Sequence, residues 1–187
     1  MHRSQTRWIV TALGKDRPGI VAGVTKVLYR LGCNLEDSAM KRLEDEFAIM
    51  LIFSSATASA ETLRNAFKPL ERALSLVVHL KRLTERETKT PKRQGPSSLV
   101  SVYGADRPGI VFHISDALAR AGVNITDVHT HRSSEGRRSK APSLYLLLLE
   151  VELPARRSLP WLERLLKRIA KRLQVEVSLR PSEANVL

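Results

Sequence analysis

The chain has 187 residues, 43% of them hydrophobic and 27% charged, with a single cysteine and a formal net charge of +12. The apolar fraction is ordinary for a globular protein, so disorder is not the default, and lone Cys33 excludes an internal disulfide. The basic N-terminus has no apolar run of signal-peptide or membrane-spanning length, because Ile9-Val10 is followed at once by Thr11 and Gly14-Lys15-Asp16, so a cytoplasmic protein without a membrane anchor is expected.

The elements follow in chain order. Arg7–Gly14 is apolar and β-rich and ends on a glycine, which predicts a strand. Pro18 suits a first helical position. Ile20, Val21, Val24, Val27, Leu28 and Leu31 then form one helical stripe, which Gly32 ends as a left-handed residue. Asn34–Leu43 and Phe47–Ser54 predict two strands around the acidic turn Glu44-Asp45-Glu46. The second of them is apolar from Phe47 to Phe53 and reads as central and covered. Ser59–Ala73 predicts a helix with Leu63, Ala66, Phe67 and Leu70 inward, kinked or shortened by Pro69. Leu74–Leu83 closes the unit as a strand.

Thr84–Pro96 is polar, basic and contains prolines, which predicts a linker. The same order then recurs. Ser98–Gly104 is a strand. Ile110, Val111, Ile114, Ala117, Leu118 and Ala121 occupy the same stripe positions, and Gly122 ends the helix. Val123–Arg132 and Leu144–Leu153 are strands around the longer segment Ser133–Pro142, read as a hairpin or contact loop. Ser158–Leu173 is a helix with Leu162, Leu165, Leu166, Ile169 and Leu173 on one face, and Val175–Leu179 closes the second unit. Two β-α-β-β-α-β units are expected, residues 7–83 and 97–180 with a linker over 84–96. Each has an antiparallel sheet with both helices on one face, an α+β, ferredoxin-like fold.

The units are copies of one another. Asp-Arg-Pro-Gly-Ile-Val occurs at Asp16–Val21 and again at Asp106–Val111, 90 residues on, and residues 8–37 align with 98–127 without a gap at 13 identities in 30 positions. Function is therefore sought in what the copies share. The shared corner has a physical use. A helix start offers amides without partners and the positive end of the dipole, which suits a small anion. Gly19 and Gly109 carry no side chain to block the backbone, and Asp16 and Asp106 set a carboxylate at the mouth of each loop. An anion seat beside a fixed carboxylate suits a zwitterion such as a free amino acid, with Asn34 or Asn124 as an amide partner. A plain strand-to-helix turn, with Asp as a cap, is the competing account of the same residues.

The element order, the Asp-Arg-Pro-Gly-Ile-Val junction and the Gly-x-Asn after the helix resemble ACT domains. Two such units joined by a basic linker, with no catalytic domain, are most similar to the glycine cleavage system transcriptional repressor group. The resemblance implies a non-catalytic regulator that senses an amino acid, with glycine the expected ligand. It implies action on transcription of glycine cleavage genes through contact with a LysR-type DNA-binding activator. It also implies ligands held between paired ACT units, in one chain or in a homodimer, with the loop of one unit facing the second strand of the other. Carried over, the site residues are Asp16, Arg17, Gly19 and Ile20 with Asn34 facing, and Asp106, Arg107, Gly109 and Ile110 with Asn124 facing.

Charge keeps a second reading open. Residues 1–88 carry 14 basic and 10 acidic side chains and residues 89–187 carry 17 and 9, so the halves stand at +4 and +8. Arg156-Arg157 and the Lys167, Arg168, Lys171, Arg172 face suit a solvated surface, or direct nucleic-acid binding. A regulatory subunit acting in trans on a metabolic enzyme is a third reading. No phosphate-binding loop, nucleophile elbow, paired-cysteine motif or dinucleotide fingerprint is present, so neither catalysis nor a cofactor is expected. His129 and His131 share a strand face without an evident third metal ligand, and His113 has no identifiable acid partner. Trp8 and Trp161 read as core or interface residues, and Cys33, beside Leu31 and Leu35, as a buried structural thiol.

Overall fold

The computed structural model describes residues 5–84, 87, 97–133 and 143–182. The chain divides into two units, Met1–Thr90 and Pro91–Leu187. The first contains β1 (Thr6–Lys15), α1 (Ile20–Arg30), β2 (Asn34–Leu43), β3 (Glu46–Ser55), α2 (Ala60–Leu74) and β4 (Val77–Arg82). The second contains β5 (Ser97–Ala105), α3 (Ile110–Arg120), β6 (Asn124–Arg132), β7 (Leu144–Glu152), α4 (Leu159–Leu173) and β8 (Glu176–Pro181). Each unit is a four-stranded sheet, ordered β2-β3-β1-β4 or β6-β7-β5-β8, with every pairing antiparallel. This is the expected α+β, ferredoxin-like arrangement. Apart from Thr84 and Glu87, the expected linker lies outside the described residues, as do residues 134–142 of the long hairpin segment.

Period-2 strands and 3.6-period helices meet on one face of each sheet. In the first unit Val10 and Ala12 of β1 and Ile49, Leu51 and Phe53 of β3 pack with Ile20, Val24 and Leu28 of α1 and Leu63 and Phe67 of α2. The second core repeats this with Val100, Val102, Leu147, Leu149, Ile114, Leu118, Leu162 and Leu166. Two expected features differ. Phe47–Phe53 is central, but within its unit it is covered on one face only: its burial alternates, and Met50 is 48% exposed. Both helices lie against the other face, so an all-apolar strand does not by itself report two covers. Val21 and Val111, assigned to the inward stripes, are exposed at 42% and 38%. They stand in the first helical turn.

The helix ends follow local chemistry. Ser59 caps α2 by accepting the Thr62 N–H at 3.1 Å. That helix runs through Pro69 to Leu74, so the proline does not shorten it. Pro69 is on the solvent side, where a carbonyl that loses its N–H partner can be satisfied by water. Gly32 and Gly122 have φ of 64° and 71° and stop α1 and α3 as expected. A Cβ on Gly14 would lie 2.8 Å from Leu76 Cδ2 and 3.0 Å from the Ser75 carbonyl oxygen, and one on Gly104 would lie 2.8 Å from Val175 Cγ1. The strand passes beneath the connection into the closing strand there, which accounts for one repeated identity. In both copies β2 or β6 shifts register at matching places, Leu35/Asp37 and Ile125/Asp127. The Asp37 and Asp127 carboxylates accept the next backbone N–H at 2.7 and 2.8 Å. Cys33 is half-buried against the first core, and burial pushes its thiol pKa up, partly offset by a hydrogen bond with Ser55.

Leu63 and Leu162 hold equivalent places on α2 and α4 and both are fully buried. Leu63→Ala and Leu162→Ala should each destabilise their own unit by about 2–5 kcal/mol, read as a lowered urea midpoint, and to a similar extent because the two cores are built alike.

Candidate functional site

The corner is made by the backbone. The helices start at Ile20 and Ile110, two residues later than expected, and Pro18 and Pro108 lie in the preceding turn. The N-cap residues are Gly19 and Gly109, with φ of 97° and 95° and no side-chain cap, so Asp16 and Asp106 are not helix caps. The left-handed glycine, which an L residue rarely matches, turns the chain from strand into helix. The first intrahelical bonds run from Gly23 N–H to the Gly19 carbonyl at 2.8 Å and from His113 N–H to the Gly109 carbonyl at 2.9 Å. The three amides ahead of each have no partner one turn back and lie at the positive end of the helix.

Each aspartate is tied down at two points. Asp16 N–H donates to the Asp45 carbonyl at 2.7 Å, and Asp106 N–H to the Ser143 carbonyl at 2.8 Å. The Asp16 carboxylate lies 3.5 Å from Arg42 Nη1, and the Asp106 carboxylate 2.6 Å from Arg132 Nε. Sequence reasoning missed these arginines. Arg42 and Arg132 are themselves 90 residues apart, just beyond the aligned segment, so extending the repeat comparison by five residues would have found them. Both pairs are partly exposed and contribute little to stability, but they set the charge at the mouth of each corner. Arg107 Nη1 donates to Gln174 Oε1 at 2.6 Å.

In the second unit these groups border an open cleft of about 730 Å³ that includes Asp106, Arg107, Gly109, Phe112, Arg132 and Tyr145. In the first unit nothing lies within 4 Å of where a Cβ on Gly19 would sit. A Cβ on Gly109 would lie 3.4 Å from His113 Cδ2.

Asn34 and Asn124 are placed elsewhere. Asn34 pairs with Ser54, whereas Arg42, beside Asp16, pairs with Phe47. Asn124 pairs with Glu152, and Arg132 with Tyr145. Seven residues of strand separate the two places, about 23 Å. Within one unit, therefore, the fold brings Asp, Arg, Gly and Ile of the corner together and leaves the asparagine at the other end of the sheet. An asparagine can reach a corner only from another unit. His129 Nε2–H donates to Asp127 Oδ2 at 2.8 Å, and no group of three metal-ligating side chains occurs among the described residues. No helix among them is long and apolar enough to cross a membrane.

Two βαββαβ units, each opening its first strand-to-helix corner through a left-handed glycine, define the class. The ACT domain matches residues 6–81 and again residues 98–146, and this is a tandem ACT-domain protein. The chain is 33% identical over 145 residues to the glycine cleavage system transcriptional repressor of Escherichia coli, spanning 76% of this chain and 73% of that one. It belongs to that family, and the family is regulatory. A UPF0237 protein of Streptococcus pneumoniae is 36% identical over 73 residues, 38% of this chain and 83% of its own length, a one-unit counterpart. A crystal structure of a Galdieria sulphuraria protein of unknown function superposes with a TM-score of 0.77 at 23% identity, covering 96% of this chain and 99% of that one. A structure provisionally described as a glycine cleavage system transcriptional repressor gives 0.72 at 19% identity, covering 95% and 97%. At those identities the two superpositions speak to the fold alone.

Gly19→Ala isolates the backbone term, because the added methyl meets nothing. The cost should be the left-handed conformation alone, about 1–3 kcal/mol, and a thermal unfolding midpoint unchanged from the parent would contradict the corner geometry.

Proposed function

We propose that this chain is a cytoplasmic, non-catalytic regulator that senses a small amino acid, with glycine the leading candidate. In this reading it acts on transcription of glycine cleavage genes through contact with a DNA-binding activator. The observation that carries the reading is the pair of open Pro-Gly corners, each offering helix-start amides beside an aspartate. The ligand carboxylate would lie on the amides of Ile20 to Ala22, or of Ile110 to Phe112, and its ammonium on Asp16 or Asp106. Family membership supports the regulatory role, and the relative's name points to glycine cleavage genes.

The geometry adds two conditions. The cleft at Asp106 is far larger than glycine needs, so a single unit would hold the ligand on one side only. The cover would come from a second unit, in the same chain or a second copy, bringing Asn34 or Asn124. The two corners would also differ. Arg132 sits on Asp106 at 2.6 Å, whereas Arg42 stands 3.5 Å from Asp16, so a ligand ammonium competes less at Asp16. The first corner would be the tighter site.

Glycine has five heavy atoms, and at a ceiling of about 1.5 kcal/mol per atom its binding cannot exceed roughly 7–8 kcal/mol, a Kd in the micromolar range or weaker. Calorimetry of the folded protein with glycine, serine and other amino acids should show such binding, weakened more by Asp16→Asn than by Asp106→Asn. No heat with any amino acid would remove the sensing role.

A further inference from the structure

The outer face of α4 carries more positive charge than its packing requires. Leu162, Leu166, Ile169 and Ala170 are buried, and Arg164, Arg168, Lys171 and Arg172 stand exposed on the opposite side. At 3.6 residues per turn these four fall within about 100° of arc, along about 12 Å of helix. None of them has a hydrogen bond or ion pair among the described residues. Lys167, beside them, is held by Glu163 at 2.7 Å. Arg164 with Arg168, and Arg168 with Arg172, are like charges four residues apart, which destabilise a helix. The negative end of the helix favours cations in its last turn, which accounts for Lys171 and Arg172 but not for Arg164 or Arg168.

The first unit is a built-in comparison. Its α2 has the same length, and Leu63 and Leu162 hold the same buried place on the two helices. Counted from the first residue of each helix, Asn65, Pro69, Arg72 and Ala73 stand where α4 has Arg164, Arg168, Lys171 and Arg172. Along its whole length α2 has three basic and two acidic side chains, and α4 has five and one. The same frame therefore folds with mixed charge, and the row of cations is an addition to the second unit alone.

The composition of the face selects its partner. A protein interface centres on apolar or aromatic anchors, with charge kept to the rim, and none of the large hydrophobic side chains of α4 is exposed. Single strands are held by stacking on open aromatic rings, and the one aromatic of this helix, Trp161, lies under the Arg157 guanidinium at 4.3 Å. Guanidinium groups in a row suit phosphates, which they bind by paired hydrogen bonds. A helix about 10–12 Å across matches the major groove of B-form DNA, about 12 Å wide, whereas the major groove of duplex RNA is too narrow for it. We infer that the outer face of α4 docks on the phosphate backbone of duplex DNA without reading its sequence. Amino-acid binding at the Pro-Gly corners is not required for this contact.

The test is fluorescence anisotropy of a labelled DNA duplex of arbitrary sequence, titrated with the intact chain between about 50 and 200 mM salt. Four phosphate contacts predict an affinity that falls about a hundredfold across that range. The combined variant Arg164→Gln, Arg168→Gln, Arg172→Gln should fall only about fourfold. The charge-matched variant Arg64→Gln, Lys68→Gln, Arg72→Gln on α2 should keep the fall of the parent. All six residues are exposed, so both variants should unfold at the parent's temperature. If the two variants lose salt dependence alike, the binding is loose association with a chain of net charge +12, and the α4 site is overturned. Binding of the single strand, of the matching RNA duplex or of polyglutamate as tightly as the DNA duplex would overturn it too.

Discussion

The structure depends on a glycine held at positive φ between a strand and a helix. Gly19 and Gly109 turn the chain with φ near 95° and supply no side chain to cap the helix that follows. Most helices satisfy their first amides with a serine, threonine or aspartate, as α2 does with Ser59. At the two repeated corners that local answer is missing, and the nearby aspartate is engaged by arginine instead. The result is a pair of surface positions where backbone donors are left to a partner from outside the helix. A left-handed turn costs free energy, and here its yield is access to the backbone.

How much of this was legible in the sequence depends on the physics behind each signal. Element order, strand pairing and the helix stripes could be read because periodicity reports burial directly, and the 90-residue repeat checked each reading against a second copy. What failed did so where periodicity is silent. Val21 continues the stripe but is exposed in the first helical turn, and Phe47–Phe53 is apolar on both faces though its own helices cover one. Pro18 fits a helix start in isolation, yet the following glycine takes the cap. The ion pairs of Asp16 and Asp106 join residues 26 positions apart, a distance fixed by strand register and not by any local motif. The separation of Asn34 from its own corner has the same origin, since only the direction of β2 decides which end of the sheet it occupies.

The repeat also sorts its own identities. Val10 and Val100, Leu28 and Leu118, Gly14 and Gly104, and Asp37 and Asp127 have structural work within their units: core packing, close backbone approach and the register shift. Arg17 with Arg107, Asn34 with Asn124, and the aspartate–arginine pairs are exposed or partly exposed and are not needed for the cores. Their recurrence is where a shared function has room to reside. The copies diverge too. At the second corner Arg132 sits closer to its aspartate, and the first unit pairs Trp8 with Arg82 where the second pairs Ser98 with Pro181. Duplication has thus left two similar frames with different electrostatics.

The central claim is that helix-start amides at the repeated corners receive the ligand carboxylate. Backbone amide chemical-shift mapping of the intact protein with glycine addresses it most directly. The account predicts saturable shifts centred on Ile20 to Ala22 and, at higher concentration, on Ile110 to Phe112. Binding that leaves those amides unmoved and perturbs another part of the fold would contradict it.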